Sequence, residues 1–288
     1  MRLRIALAAL AVLLAGCEPS FNVDLVATPL ADEDAKVTLR LEGVELRKTD
    51  GNTDKLTRSS TGVYLVDSTV DPVPEDLLSD SKIDGGRYDG FKLLLADDDD
   101  LGEVTRPGRP DEAIEAGTAT VLFSPVSFNI DKDDDKTTSL VVALDLVLSL
   151  SEKEDEAGFT LDPLIRVMEV GDASSVSGNI PASRFSDAAC RTGTALVYAF
   201  AGRDIEPDER DGAGVEPYAT APIVRRGTGA AGSYLLDYLP PGDYTLAFTC
   251  EGQFENGRLP SEDEDIDFFE GANVKLETGE SVRVDFDT

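Results

Sequence analysis

The chain contains no histidine and no tryptophan, and only three cysteines and two methionines among its 288 residues. Without histidine there can be no Ser-His-Asp triad, no Cys-His nucleophile pair and no His-ligated zinc. Much of hydrolase chemistry is thereby excluded, and carboxylates remain as the candidate acid–base groups. Basic residues are also scarce: 26 Lys and Arg stand against 57 Asp and Glu, for a formal net charge of −31. A field of that sign repels phosphate backbones and anionic lipid, which argues against a nucleic-acid partner and against lying flat on an acidic membrane. The most apolar run, Ile5 to Ala15, is shorter than the roughly 20 residues a membrane-spanning helix needs.

That run is nonetheless informative. Met1-Arg2-Leu3-Arg4 is a short basic start, and the apolar run follows it directly. The pair has the form of a secretory signal. Leu13-Leu14-Ala15-Gly16-Cys17 closes it and resembles the lipobox of bacterial lipoproteins. The resemblance implies a signal peptide over residues 1–16, cleavage before Cys17, and palmitate-type acyl chains on Cys17. Two or more such chains give a stable membrane anchor. Residues 17–22 then form a lipidated tether. Glu18, rather than Asp, follows the cysteine, and the usual sorting pattern points to the outer membrane of a Gram-negative bacterium.

If Cys17 carries lipid, Cys190 and Cys250 remain, and in an exported chain they are expected to pair. The loop they close is about 60 residues, for which chain entropy suggests on the order of 4 kcal/mol. A hydrophobic content of 41% is enough for a packed core.

Alternation of apolar and polar residues dominates the chain. Lys36 to Lys48 reads as a strand with a bulge at Glu42-Gly43 and a hairpin turn at Thr49-Asp50-Gly51-Asn52. Ser139 to Leu150 carries the clearest period of two and reads as one long strand, with Phe159 to Val170 returning beside it. Pro74 to Ser81 reads as one or two helical turns, 101–118 as loop, and Ala119 to Phe123 and Val126 to Ile130 as strands. After a compositional shift near Gly171 to Ser175, seven short strands follow over about 110 residues, with Leu239-Pro240-Pro241-Gly242-Asp243-Tyr244 as a tight turn. The expected architecture is mainly β. It comprises two β-sandwich-like domains, 23–172 and 173–288, behind the lipoprotein signal peptide.

Two stretches resemble known families. The segments from Ala27 to Leu39, Val44-Glu45-Leu46, Tyr88 to Leu95, and Leu161-Asp162-Pro163-Leu164-Ile165-Arg166-Val167 resemble domain-of-unknown-function family 4382 of bacterial lipoproteins, over about residues 21–170. Ala27 stands where that family often has an acid, and only Asp145 remains of a fuller acidic motif. Residues 176–286 resemble the carboxypeptidase-regulatory or transthyretin-like β-sandwich, through Ala195 to Phe200 and Gly232-Ser233-Tyr234 to Leu246. That resemblance implies an accessory fold and no chemistry of its own.

Candidate sites are few. Asp131, Asp133 and Asp135 alternate as in calcium loops, but Lys136 and Val142 occupy the positions where an EF-hand has Gly and Glu. A solvated hairpin tip is the simpler reading, with calcium as the cofactor it leaves open. Asp208 to Gly212 and Asp263 to Asp267 are comparable acidic loops. Tyr218, Tyr234, Tyr238 and Tyr244 could stack on sugars, although strand-borne tyrosines usually pack into cores. The expected function is a lipid-anchored, non-catalytic binding or adhesion protein of the cell envelope, held to the membrane by its N-terminal lipid, with a glycan or an envelope protein as partner. The alternatives are a periplasmic assembly scaffold and, last, a polysaccharide-acting enzyme using two carboxylates.

Overall fold

The computed structural model describes residues 19–30, 35–58, 63–66 (backbone), 73–96, 101–117, 123–131, 136–153, 156–186, 190, 194–210, 214–227, 229–252, 255 and 266–286. Cys17 and residues 1–16, read as a signal peptide, lie outside the described residues. The protein is mainly β. In chain order the first strands are β1 (Ser20–Thr28), β2 (Lys36–Lys48), β3 (Thr53–Thr57), β4 (Val63–Val66), β5 (Glu75–Lys82), β6 (Gly86–Leu95), β7 (Gly102–Thr105), β8 (Glu112–Ala116) and β9 (Ser124–Ile130). They continue with β10 (Thr137–Asp145), β11 (Leu150–Glu152), β12 (Phe159–Leu161) and β13 (Ile165–Glu169). The second half forms β14 (Ser174–Ile180), β15 (Leu196–Ala201), β16 (Ala219–Pro222), β17 (Val224–Arg225), β18 (Gly232–Leu239), β19 (Gly242–Thr249), β20 (Phe269–Leu276) and β21 (Ser281–Arg283).

Two sheets enclose the first core. One has the order β13-β10-β1-β5, and the other runs β11-β12-β8-β7-β2-β6-β9, with β3 and β4 also pairing to β2. β1 runs parallel to β10, with Ser20 opposite Thr137 and Thr28 opposite Asp145. Inward positions alternate as a strand requires: Val23 and Leu25, Leu39 and Leu41, Phe91 and Leu93, Val142 and Leu144 meet in one apolar cluster. The bulge expected at Glu42-Gly43 is present as a register shift against β6. Gly43 takes φ +152°, and a Cβ there would come within 2.0 Å of the Leu56 carbonyl oxygen, so the bulge requires glycine.

Several local expectations are corrected. Glu75–Lys82 is a strand, not helical turns, because it fills the edge beside β1 and buries Leu77 and Leu78. The stretch read as loop at 101–118 contains β7 and β8, each held by one fully buried residue, Val104 and Ile114. Strands that short show too little alternation to stand out. Ala119 to Phe123 falls outside the described residues except for Phe123. Pro125 sits within β9, at the end of its sheet, where a missing N–H costs least. The long strand read from Ser139 to Leu150 stops at Asp145. One helical turn, Leu146–Ser149, follows before β11. The return strand is likewise two strands, β12 and β13, in different sheets.

The second half is a sandwich of β17-β18-β14-β21 against β16-β15-β19-β20. Pro222 ends β16 and Val224 begins β17, and these two strands lie in different sheets. Val176, Val197, Leu236, Leu246 and Phe248 form its core. The Pro240-Pro241-Gly242 turn connects β18 to β19, and the buried Tyr244 donates its hydroxyl to the Pro240 carbonyl at 2.8 Å, pinning the reversal. Cys190 and Cys250 are joined as a disulfide across 60 residues of sequence, and both are buried. Removing a bridge over such a loop costs about 2–5 kcal/mol. A Cys190→Ala/Cys250→Ala variant should lose that amount in urea unfolding, and reduction of the native protein should lower the midpoint equally. Identical midpoints with and without reductant would show that the closed loop contributes nothing.

Candidate functional site

Part of the outward face of the β13-β10-β1-β5 sheet is covered by the second unit. Along the segment that includes β10, Val141 and Ala143 pack with Val26, Met168 and Tyr238 in one cluster. Val147 and Leu148 pack with Leu196, Tyr198, Phe200 and Ala247 of the second unit in another. Asp145 lies between these two patches, on the same face and fully buried. β10 and β15 are therefore buried on both faces. Apart from Asp145, their buried positions are apolar on both faces, as in strands with covered faces.

Asp145 ends the strand and caps the turn, accepting the Leu148 amide at Oδ1 (3.2 Å). Thr220 of β16 donates its amide to Oδ2 at 2.7 Å and its hydroxyl to Oδ1 at 2.8 Å. Arg166 of β13 donates to Oδ2 at 3.4 Å. Arg166 then reaches into the second unit, donating to the carbonyls of Tyr238 and Tyr218, both at 3.3 Å. A second link runs beside it. Arg210 donates from its side chain to the Leu148 carbonyl and from its amide to Glu255 at 3.0 Å. Glu255 accepts the Tyr198 hydroxyl at 2.7 Å. Burial, then the Glu255 charge, hold the Tyr198 phenol far above its ordinary range.

Beside Arg166 the two units leave a cleft of about 220 Å³. Val26, Thr28 and Pro29 form one wall, and Pro222, Val224, Arg226, Ser233, Asp237 and Tyr238 form the other. Tyr238 has φ +54°, a backbone conformation rarely taken by a bulky residue. Its amide donates to Asp237 Oδ1 at 2.9 Å and its carbonyl accepts from Arg166, so both sides of the strained residue are tied. Burial raises the Asp237 carboxyl pKa, although the Tyr238 amide and Arg166 oppose that shift. The Tyr238 phenol is pushed up by burial, then by Asp237 and Asp24.

Of the tyrosines considered as sugar platforms, Tyr234 and Tyr244 are core residues, while Tyr218 and Tyr238 are half-buried at the junction. Tyr218 lies 6.0 Å below the Arg166 guanidinium. Of the calcium candidates, Asp131 is exposed after β9, whereas Asp133 and Asp135 lie outside the described residues. Among the described residues no group of three or more acidic or cysteine side chains is arranged to hold a metal.

No family model and no curated protein matches the chain. Among solved structures it is similar to the Bacillus anthracis TIE protein at 10% identity and TM-score 0.20, over 93% of this chain and 34% of that one. The chain thus spans about a third of that protein. It is also similar to a candidate adhesin of Bacteroides ovatus ATCC 8483 (10% identity, TM-score 0.20, 99% of this chain and 98% of that one). A candidate polysaccharide-binding protein of Bacteroides thetaiotaomicron VPI-5482 follows (13% identity, TM-score 0.20, 83% and 78%).

The junction is the feature that sequence reading missed. Asp145 and Arg166 each stood in a stretch singled out by resemblance, but neither had a role. The usable signal was the apolar character of Val141, Ala143 and Val147 on the face opposite the core.

Two predictions follow from this geometry. Asp145→Ala leaves Arg166 buried without its counter-charge and Thr220 without its acceptor. It should cost about 3–5 kcal/mol in chemical denaturation, and an unchanged midpoint would refute the junction's dependence on this group. Asp24, on β1, has a raised carboxyl pKa because of burial, then the charge and hydrogen bond of Asp76 opposite it. A carboxyl that titrates higher folded than unfolded weakens the fold when ionised, so its penalty is present at neutral pH and fades as pH falls. Asp24→Asn should raise the melting temperature near pH 7, and the gain should vanish as pH drops through the range where Asp24 takes up its proton. A gain that is constant with pH would disprove this origin.

Proposed function

We propose that the protein is a lipid-anchored, non-catalytic binding protein of the bacterial cell envelope, tethered through Cys17 and using the junction cleft to hold its ligand. The supporting observation is a preformed cavity between two units that buried polar bonds lock together. Junctions between domains are a common place for ligand sites. The carboxylates present favour binding over hydrolysis. Asp145 is enclosed and accepts from three residues at four hydrogen bonds, so it has no capacity left for substrate. Among the described cleft residues that leaves Asp237, one oxygen of which already accepts a backbone amide. A carboxylate-pair glycosidase needs two free acids facing one bond.

Protease shaving of intact cells tests the placement, with Cys17→Ser as the unanchored control. The anchored protein should fractionate with membranes and the Cys17→Ser variant should not. A variant that stays in the membrane fraction would disprove lipid tethering at Cys17. Digestion from intact cells would direct the ligand search to external surfaces. Protection until the outer membrane is opened would direct it to the periplasm and end the adhesion reading.

A further inference from the structure

The chemistry of the cleft wall narrows the ligand class, and this step rests on the binding role proposed above. Thr28, Ser233, Tyr238 and Arg226 all line the cleft, and among the described residues none of their side-chain polar groups has a hydrogen-bond or ion-pair partner. Several other cations of the chain carry acid partners. Arg47 pairs with Asp89, Lys48 with Asp54, Arg106 with Glu112 and Glu152, Arg203 with Asp243, and Arg283 with Asp285. Acids outnumber bases 57 to 26, yet among the described residues Arg226 has no acid partner, so its charge can serve a bound anion.

We infer that the cleft is a site for a single acidic sugar residue, its carboxylate held by Arg226 and its hydroxyls by Thr28, Ser233, Tyr238 and the open oxygen of Asp237. A guanidinium matches a carboxylate with two parallel hydrogen bonds. The hydroxyls and the remaining Asp237 oxygen offer the mixed donors and acceptors that a ring of secondary alcohols requires. Val26, Pro29, Pro222 and Val224 supply apolar wall for the C–H faces of the ring. At about 220 Å³ the space falls below the roughly 300–1,000 Å³ of drug-sized sites, so it suits one ring rather than an oligosaccharide. The net charge of −31 selects a monoanion over a phosphate dianion, which it would repel about twice as strongly. The strained Tyr238 backbone, tied on both sides, is a second and independent mark of a held geometry at this wall.

The test is calorimetric titration of the detergent-solubilised full chain with methyl glucuronide, methyl glucoside and inorganic phosphate. The glucuronide should bind at least about tenfold more tightly than the glucoside, and phosphate more weakly than either. Arg226→Gln should erase that tenfold preference, Tyr238→Phe should weaken the glucuronide several-fold, and Arg203→Gln, an exposed and remote control, should change nothing. Equal affinity for glucuronide and glucoside, or a preference that survives Arg226→Gln, overturns the acidic-sugar site. Binding of a neutral polysaccharide unaffected by Arg226→Gln and Tyr238→Phe would leave a glycan-binding role standing while removing this site. Failure to bind any saccharide in the same titrations removes the acidic-sugar assignment, and an envelope-protein ligand found by crosslinking would then keep the broader binding role alive.

Discussion

A carboxylate taken out of water must find hydrogen-bond donors where it goes, and Asp145 finds them on both sides of a boundary. The Leu148 amide and Arg166 come from its own unit, and Thr220 brings an amide and a hydroxyl from the other. An ionised group at zero exposure costs several kcal/mol unless its lone pairs are used, so Asp145 is satisfied only when the two units are docked in one arrangement. The apolar patches on either side, around Ala143 and around Leu148, supply the area. Apolar contact is non-directional and would tolerate sliding. The bonds at Asp145 and Arg166 are directional, and they fix which residues of the second unit face which residues of the first.

That division explains what could be read from the linear chain. Alternation is a local property, so the strands at Lys36 to Lys48 and Val126 to Ile130 were legible, as were the Gly43 bulge and the Pro240-Pro241-Gly242 turn. β5, β7 and β8 were not, because a strand needs only one or two buried anchors when an existing edge supplies its hydrogen bonds. Leu77, Val104 and Ile114 perform that duty within otherwise polar sequence. The alternation that seemed to run unbroken from Ser139 to Leu150 was misleading for a related reason. A side-chain cap from Asp145 overrides the period and inserts a helical turn without disturbing which residues are apolar.

The junction itself lay beyond local pattern. Asp145, Arg166, Thr220 and Tyr238 are scattered over nearly a hundred residues, and each alone reads as an ordinary polar or aromatic strand position. The sequence did carry an indirect trace. A strand exposed on one face has polar residues there, whereas β10 has Val141 and Ala143, and β15 has Leu196, Tyr198 and Phe200 outside its own core. Apolar residues on both faces mean two covering layers, and in this chain the second layer is the other sandwich.

Arg166 connects this constraint to the proposed binding role. It holds Asp145 on one side, bonds the Tyr238 and Tyr218 carbonyls on the other, and also lines the cleft. The residue that fixes the angle between the units is therefore part of the cavity wall, so the cavity keeps its shape without a closing motion. A ligand the size of one sugar ring has few atoms with which to offset lost translational freedom, and little to spare for ordering its site. A locked junction removes that second cost in advance. Weak single sites become effective when many copies share a surface, because each engaged copy raises the local concentration seen by its neighbours. Lipid tethering at Cys17, as proposed, would supply that array. Under the proposed reading, the anchor and the rigid junction are complementary answers to the small size of the cleft.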